Sequence, residues 1–407
     1  MYSSELLNLI TQEVSLLKAN GKYKFEAPLE SAQSSKVKVA GKEVLMFASN
    51  NYLGLANHPE IITAAKKSLD QYGYGLASVR FIAGTTKLHL ELEKKCSEFL
   101  GTEDTILFGS CFAANEAFFT ALIQQTEGQT KKSVIYSDEL NHASIIDGLK
   151  LVKKDLVVKR IYAHNDSSAL EQMLKEDENE NYFLKIIASD GVFSMEGELA
   201  KLPELVRIAT DHRALLFVDD SHGVGVCGAH GQGSPEELNV SGQIDVLSGT
   251  FGKALGGAAG GYLSGKKELI EFMRQKARPY IFSNSLPPMI VASTMAALDL
   301  LHQHPELIEQ SKENTAYFRQ EIKARGFKII EGDHPIVPIM IGEAALTQKM
   351  AKELLARGLY LFGLWFPVVP EGQARLRAQI SAAHTRADLN QALDILTVVG
   401  KELGVIK

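Results

Sequence analysis

Lys253 stands in the run Ser248-Gly249-Thr250-Phe251-Gly252-Lys253, directly after the apolar stretch Ile244–Leu247. An amine among glycines at a strand end is sterically accessible, and burial or neighbouring cations lower its pKa. Those are the conditions for Schiff-base chemistry. The ordinary fate of a single lysine is a solvated turn. A Walker loop is excluded, because the four-residue spacer and the following Ser or Thr are missing. Asp219-Asp220-Ser221-His222 follows a second apolar stretch, Ala214–Val218. A carboxylate placed there is partly buried and needs a cation or several hydrogen bonds. The alternatives are a turn cap, or a metal site of two acids and a histidine, which no second His or Cys cluster supports.

In Phe108–Asn115 (FGSCFAAN) a strand ends in Gly-Ser and a helix begins. Free N–H groups at that helix start, with the Ser110 hydroxyl, would cradle a phosphate; a plain strand–turn–helix joint is the alternative. Thr250 would add a hydroxyl. His142, in Asn141-His142-Ala143-Ser144, lies at another helix start, where its ring either stacks on a flat ligand or packs as core. Arg375 and Arg377 are two apart on a strand and so share a face. One would hold a carboxylate through a bidentate bond, unless both line a solvated face. A Schiff-base lysine, an acid for a ring nitrogen, a stacking imidazole, a phosphate cradle and a carboxylate clamp form one constellation. It matches what pyridoxal 5′-phosphate needs from a protein.

These side chains need a scaffold. Apolar runs at Thr105–Phe108, Ser133–Tyr136, Leu156–Ile161, Phe183–Ala188, Ala214–Val218 and Ile244–Leu247 predict strands. Helical patterns at Leu88–Leu100, Ala114–Gln124, Ser168–Lys175 and Leu202–His212 lie between most of them. Such alternation implies an α/β fold whose mostly parallel sheet is covered on both faces, with ligands beyond the carboxyl ends of its strands. Gly256–Leu263 reads as a further, glycine-rich strand. After Pro288 the pattern changes: helices at Met289–His302, Glu306–Arg325, Leu346–Ala356 and Arg386–Leu403, with strands at Lys328–Ile330, Ile336–Ile341 and Ala374–Ile380. The expected division is an N-terminal helix and strand segment (1–50), a large cofactor-binding domain (51–288) and a small α+β domain (289–407).

Forty-three Lys plus Arg against 49 Asp plus Glu leave a net charge of −6, which argues against a general nucleic-acid binder. With 45% hydrophobic and 23% charged residues, disordered and collagen-like chains are excluded. Cys96, Cys111 and Cys227 are odd in number and form no C-x-x-C pair, which points to a reducing, cytoplasmic setting. Leu6, Leu7, Ile10, Val14 and Leu17, with Glu5 and Glu13 among them, give an amphipathic helix and no signal peptide. The uncharged stretch Pro279–Leu298 is as long as a membrane span, but Pro287-Pro288 interrupts it, and no membrane association is expected.

At these motifs the sequence resembles the α-oxoamine synthases, a branch of the fold-type I, aspartate-aminotransferase-like pyridoxal-phosphate enzymes. The similarity runs from Phe47–Gly54 (FASNNYLG) almost to Ile406. ASVRFIAGT (77–85), LNHASIIDG (140–148), DGVFSMEGE (190–198), RPYIFSNSLPP (278–288) and FPVVPEGQARLRAQISAAHT (366–385) favour the branch member that joins glycine to acetyl-CoA. The resemblance implies a large domain with a mostly parallel seven-stranded sheet and a smaller C-terminal α+β domain. Lys253 would hold the cofactor as a Schiff base and Asp219 would pair with the pyridinium nitrogen. His222 would sit near the phenolic oxygen and His142 would stack on the ring. Ser194 falls in a cofactor-contact motif. Phosphate contacts are expected from Ser110, from the backbone of Cys111 and Phe112, and from Thr250. Ser283 and Asn284 would reach the phosphate across a homodimer interface. Arg377, with Asn50 nearby, would clamp the substrate carboxylate.

The implied reaction condenses glycine with acetyl-CoA to 2-amino-3-oxobutanoate and CoA. The displaced Lys253 amine takes an α-proton, the carbanion attacks the thioester, and the product is not decarboxylated. Reversed, it splits the ketoacid that arises from threonine oxidation, which implies a functional link to threonine dehydrogenase. Ala113 departs from the Asp expected there, so a hydrogen bond behind the cradle is lost. Residues 124–133 form a longer, more polar surface loop than expected. A sibling such as 8-amino-7-oxononanoate synthase would use the same residues. A non-catalytic pyridoxal-phosphate protein would not need Lys253, Asp219, His142 and Arg377 together. An NAD dehydrogenase would need a G-x-G-x-x-G turn that is missing. For the phosphates of CoA, charge alone points to Lys22, Lys24, Arg80 and Arg278.

Overall fold

The computed structural model describes residues 3–20, 22–124 and 131–407. The chain divides into two compact units, Leu55–Ser194 with Glu198–Glu309, and Met1–Gly54 with Met195–Gly197 and Gln310–Lys407. The second unit begins with helix α1 (Ser4–Ala19) and the hairpin β1 (Lys36–Val39) and β2 (Lys42–Met46). α1 is amphipathic as its spacing predicts, yet it buries none of its side chains.

The larger unit opens with α2 (Pro59–Tyr72) and α3 (Lys87–Leu100). Strand and helix then alternate: β3 (Asp104–Phe108), α4 (Cys111–Gln124), β4 (Ser133–Asp138), α5 (Ala143–Leu151), β5 (Val157–Tyr162), α6 (Ser167–Glu176), β6 (Lys185–Asp190), α7 (Leu202–Asp211), β7 (Leu215–Asp219), β8 (Val246–Thr250) and β9 (Gly261–Gly265). The seven strands form one sheet in the order β3-β9-β8-β7-β6-β4-β5. β9 alone runs antiparallel, to both β3 and β8. The expected seven-stranded, mostly parallel sheet is therefore present.

Central strands such as β4 are buried along their whole length, because both sheet faces are covered. Ile135, Ile186, Phe217 and Val246 pack with Phe118 and Phe119 on one face. Val134, Tyr136, Ile187, Leu216 and Val218 pack with Leu170, Leu205 and Ile208 on the other. β5, at the edge, turns Lys159 and Ile161 outward.

Two sequence expectations shift. Strand β9 starts at Gly261 rather than Gly256, because Gly256, Gly257 and Gly260 have φ of 95°, 71° and 103°. That backbone is left-handed and cannot continue a strand. Lys328–Ile330 makes only an isolated antiparallel bridge, Ile329 to Ile339. Of the polar loop 124–133, residues 125–130 lie outside the described residues.

The remaining unit carries β10 (Ile336–Gly342), β11 (Leu359–Tyr360), β12 (Phe362–Leu364) and β13 (Ala374–Gln379). β11 extends the β1–β2 hairpin, and β10-β13-β12 form an antiparallel sheet. Helices Ala344–Ala356 and Arg386–Glu402 cover it through a core that includes Phe47, Phe318, Leu376, Leu389 and Leu396. No helix among the described residues is long and apolar enough to cross a membrane.

Candidate active site

One cavity of about 190 Å³ lies beyond the carboxyl ends of β4, β6, β7 and β8, lined by residues that follow those strands and by the start of α4. Its walls include Lys253, Asp219, His222, His142, Ser110, Cys111, Phe112 and Thr250. Eight of the thirteen residues expected in the site thus come together.

Lys253 is half-buried, in the turn after β8. Glycines make that turn feasible. A Cβ on Gly249 would lie 2.3 Å from the Tyr262 hydroxyl on the neighbouring strand β9. Thr250 ties the turn together, its Oγ1 donating to the Gly260 carbonyl and accepting from the Gly252 N–H, both at 3.1 Å.

Asp219 closes β7 and is 4% exposed. It accepts from the Asn115 side-chain amide at 2.6 Å and from the Ser221 N–H at 3.0 Å. The Cys111 thiol lies 3.7 Å from both of its oxygens. Burial, and then the Asp219 charge, push that thiol far above its usual range, so Cys111 is a neutral donor. All three cysteines are free and buried. Asp220 behaves differently. It accepts from the Ser234 N–H and hydroxyl, at 3.0 and 2.5 Å, and burial raises its pKa to about 7. It is a structural acid that folds the Gly223–Ser234 loop around itself.

His142 is the N-cap of α5, where its Nδ1 accepts from the Ser144 N–H at 3.2 Å. Ser144 Oγ lies 2.7 Å from the same nitrogen and accepts from the Asn115 amide at 2.8 Å. A continuous path therefore runs His142–Ser144–Asn115–Asp219. Ser144 donates at both contacts, so the neutral ring is the Nε2–H tautomer. Phe112 meets the His142 ring edge-on at 6.3 Å.

At the start of α4, Ser110 Oγ accepts from the Ala113 N–H at 3.1 Å. The N–H groups of Cys111 and Phe112 have no acceptor within the helix and lie at its positive end. The Ser110 contact at this helix start is made through the backbone of position 113, so it does not depend on the side chain there.

Ser283 and Asn284 are exposed and line a separate small cavity with Arg80, Gly109 and Tyr280. Ser194 is buried on the turn after β6 but is not a wall of the main cavity, whereas Val192 is. Arg80 is not available to a CoA phosphate. It is 5% exposed, bonded to Glu93 at 2.8 Å and to Thr85 at 3.1 Å. Charge counting could not see that internal partner.

Asn50 and Arg377 belong to the other unit. Arg375 and Arg377 part company there. Arg375 is 1% exposed and spent on Glu196, 3.0 Å away. Arg377 donates from Nη2 to the Asn50 side-chain oxygen at 3.2 Å, makes no ion pair among the described residues, and has a buried Nε with no acceptor. A buried guanidinium donor left open fits an incoming carboxylate.

Sequence reasoning missed Asp190, Ser144, Ser221 and Val192, which line the cavity, and Asn115, which holds Asp219. Asp190 carried a signal: it closes β6 as Asp219 closes β7.

The family model for class I and II aminotransferases matches residues 42–396. A 2-amino-3-ketobutyrate coenzyme A ligase of Salmonella typhimurium is 47% identical, with 98% of each chain covered. An 8-amino-7-oxononanoate synthase of Thermoanaerobacter pseudethanolicus is 41% identical over the whole of both chains. Among solved structures, a serine palmitoyltransferase from S. paucimobilis with bound PLP-myriocin aldimine superposes with a TM-score of 0.91, at 30% identity and 100% coverage of each chain.

Proposed function

The chain belongs to the class I and II aminotransferase family, and on that premise we propose that it is a pyridoxal-phosphate acyltransferase joining glycine to acetyl-CoA, with 2-amino-3-oxobutanoate and CoA as products. The observation that carries the reading is the single cavity on which Lys253, Asp219, His142 and the α4 start converge. These groups fit pyridoxal phosphate: an amine for its aldehyde, a carboxylate for its ring nitrogen, a flat imidazole for its face, and helix N–H groups for its phosphate. When bound, the cofactor supplies a ring that accepts the electron pair left as glycine loses its α-proton.

Lys253 would hold the cofactor through Nζ, and the same amine would take the α-proton of glycine. Asp219, held in place by Asn115 and Ser221, keeps a positive charge on the ring nitrogen. His142 would pack against the ring and His222 would serve its phenolic oxygen, with Ser194 assigned to the cofactor's surroundings. The N–H groups of Cys111 and Phe112, with Ser110 and Thr250, hold the phosphate. Arg377 receives the glycine carboxylate, and Asn50 orients its guanidinium. The reverse reaction cleaves the ketoacid that threonine oxidation yields, beside a threonine dehydrogenase.

The enzyme works as a homodimer in the cytoplasm. Supporting this are the unburied apolar residues Leu6, Leu7, Leu9 and Ile10 of α1 and the exposed Tyr74, Phe81, Ile82 and Phe282, which a second copy would cover. Ser283 and Asn284 follow Phe282 and are assigned to the partner's phosphate site. Three free, buried cysteines suit a reducing compartment.

The 41% identical 8-amino-7-oxononanoate synthase keeps a second reading open, a longer acyl thioester. Steady-state rates with glycine and alanine, crossed with acetyl-, succinyl- and pimeloyl-CoA, decide between the two. Best turnover with glycine and acetyl-CoA is expected; any other best pair refutes the choice of substrates.

A further inference from the structure

Asp190 is a buried acid that the proposed reaction leaves unused. It closes β6 and is the register partner of Asp219 on the adjacent parallel strand β7. The two side chains therefore leave the sheet on one face, from backbones about 4.8 Å apart. Asp190 is 3% exposed and Asp219 4%, and both line the cavity. Two carboxyl groups so close in a buried site do not both ionise.

Their donors decide which keeps its proton. Asp219 has the Asn115 amide, the Ser221 N–H and the Cys111 thiol. Asp190 has one N–H, from His142, at 3.2 Å on Oδ1. The other titratable groups around it are Asp138 and Tyr162 from β4 and β5, His142, His222 and Lys253. Burial comes first and Asp219 second in pushing the Asp190 carboxyl well above the usual range, and Lys253 opposes them without prevailing.

We propose that Asp190 works as a neutral carboxylic acid, protonated on Oδ2. It is a positioning residue. Through Oδ1 it holds the backbone of His142, and so the stacking ring, without placing a second negative charge beside Asp219. Asp219 is then the one ionised member of the pair, as the ring nitrogen requires. The inference rests on the reading of this cavity as the pyridoxal-phosphate site.

Difference infrared spectroscopy of the holoenzyme tests it, through the C=O stretch of a protonated carboxyl. The band is expected in the wild type at pH 8.5, where Asp220, with its pKa of about 7, is ionised, and absent in D190N at the same pH. In D219N, with the neighbouring charge gone, the pH at which the band disappears falls. A wild-type spectrum without the band, or a band that D190N leaves in place, overturns the inference. So does a titration that D219N does not move, and that measurement needs no folded D190N. Cofactor absorbance separates the two levels of failure. A protein that never takes up pyridoxal phosphate refutes the reading of the cavity, whereas one that binds it with an ionised Asp190 refutes this inference alone.

Discussion

Replacing His384 with asparagine gives a test whose size follows from the geometry. His384 is 3% exposed. Its Nε2–H donates to the Met46 carbonyl at 3.0 Å and its Nδ1 accepts from the Ser381 N–H at 3.1 Å. The ring stacks on Phe47 at 4.1 Å, 9° from parallel. Burial lowers its pKa from 6.5 to about 4, against the pull of the Met46 carbonyl. The unfolded chain therefore binds this proton below pH 6.5, while the folded one refuses it until about pH 4. Stability present above pH 6.5 is lost as the pH falls toward 4, by ~3.4 kcal/mol for a shift of that size.

In H384N the amide oxygen replaces Nδ1, but the donor to Met46 is gone. A buried carbonyl left without a partner costs ~2 kcal/mol. The variant is then less stable at pH 7.5 and lacks the acid-induced loss. By pH 5 the wild type has itself lost ~2 kcal/mol, so the two stability curves meet near that pH. Urea unfolding of the holoenzyme between pH 4.5 and 8 measures this through Trp365, the one tryptophan, which belongs to the same unit as His384. A gap between H384N and wild type that stays constant with pH would refute the linkage. His384 also packs on Phe47, three residues before Asn50, and Gln379, on the strand that carries Arg377, donates its N–H to the Phe47 carbonyl at 2.8 Å. H384N should accordingly raise the KM for glycine more than it lowers kcat.

Three further outcomes are expected. In G261A the new Cβ lies 2.3 Å from the Cys111 nitrogen and 2.5 Å from its Cα. The start of α4 must therefore shift, and the cofactor dissociation constant, read by absorbance titration, should rise about tenfold or more. R377K loses the planar fork that matches a carboxylate, so KM for glycine should rise ~10- to 100-fold with a smaller change in kcat; an unchanged KM removes Arg377 from the substrate site. For Asp220, with its pKa raised from 3.8 to about 7, the stability it contributes is full below pH 3.8 and lost as the pH rises to about 7. D220N can still bond Ser234 and should gain on the wild type across that window, by up to ~4 kcal/mol. Thermal unfolding at pH 5 and pH 7.5 checks the sign.

The alternation of apolar runs and helical patterns was enough to place β3 to β8, because a strand buried on both faces must be apolar along its length. Lys253, Asp219 and His142 were visible for a related reason, since ligands in such a sheet gather where strands end. Spacing says where the backbone delivers a residue. It does not say which way the side chain turns next, or what meets it there. Asp219 and Asp220 are adjacent and alike in sequence, yet Asn115 and Ser221 hold one at the cavity while Ser234 takes the other. Arg375 and Arg377 share a strand face, and only the distant Glu196 makes the first of them structural. Arg80 was counted as a free cation until Glu93 met it. Asp190 became more than a strand end only when β6 and β7 came into register. The sequence by itself determined the scaffold and the reactive residue types. Which charge is spent, which stays open and which carboxyl keeps its proton depend on partners up to 327 residues away, which only the tertiary structure brings within hydrogen-bonding range.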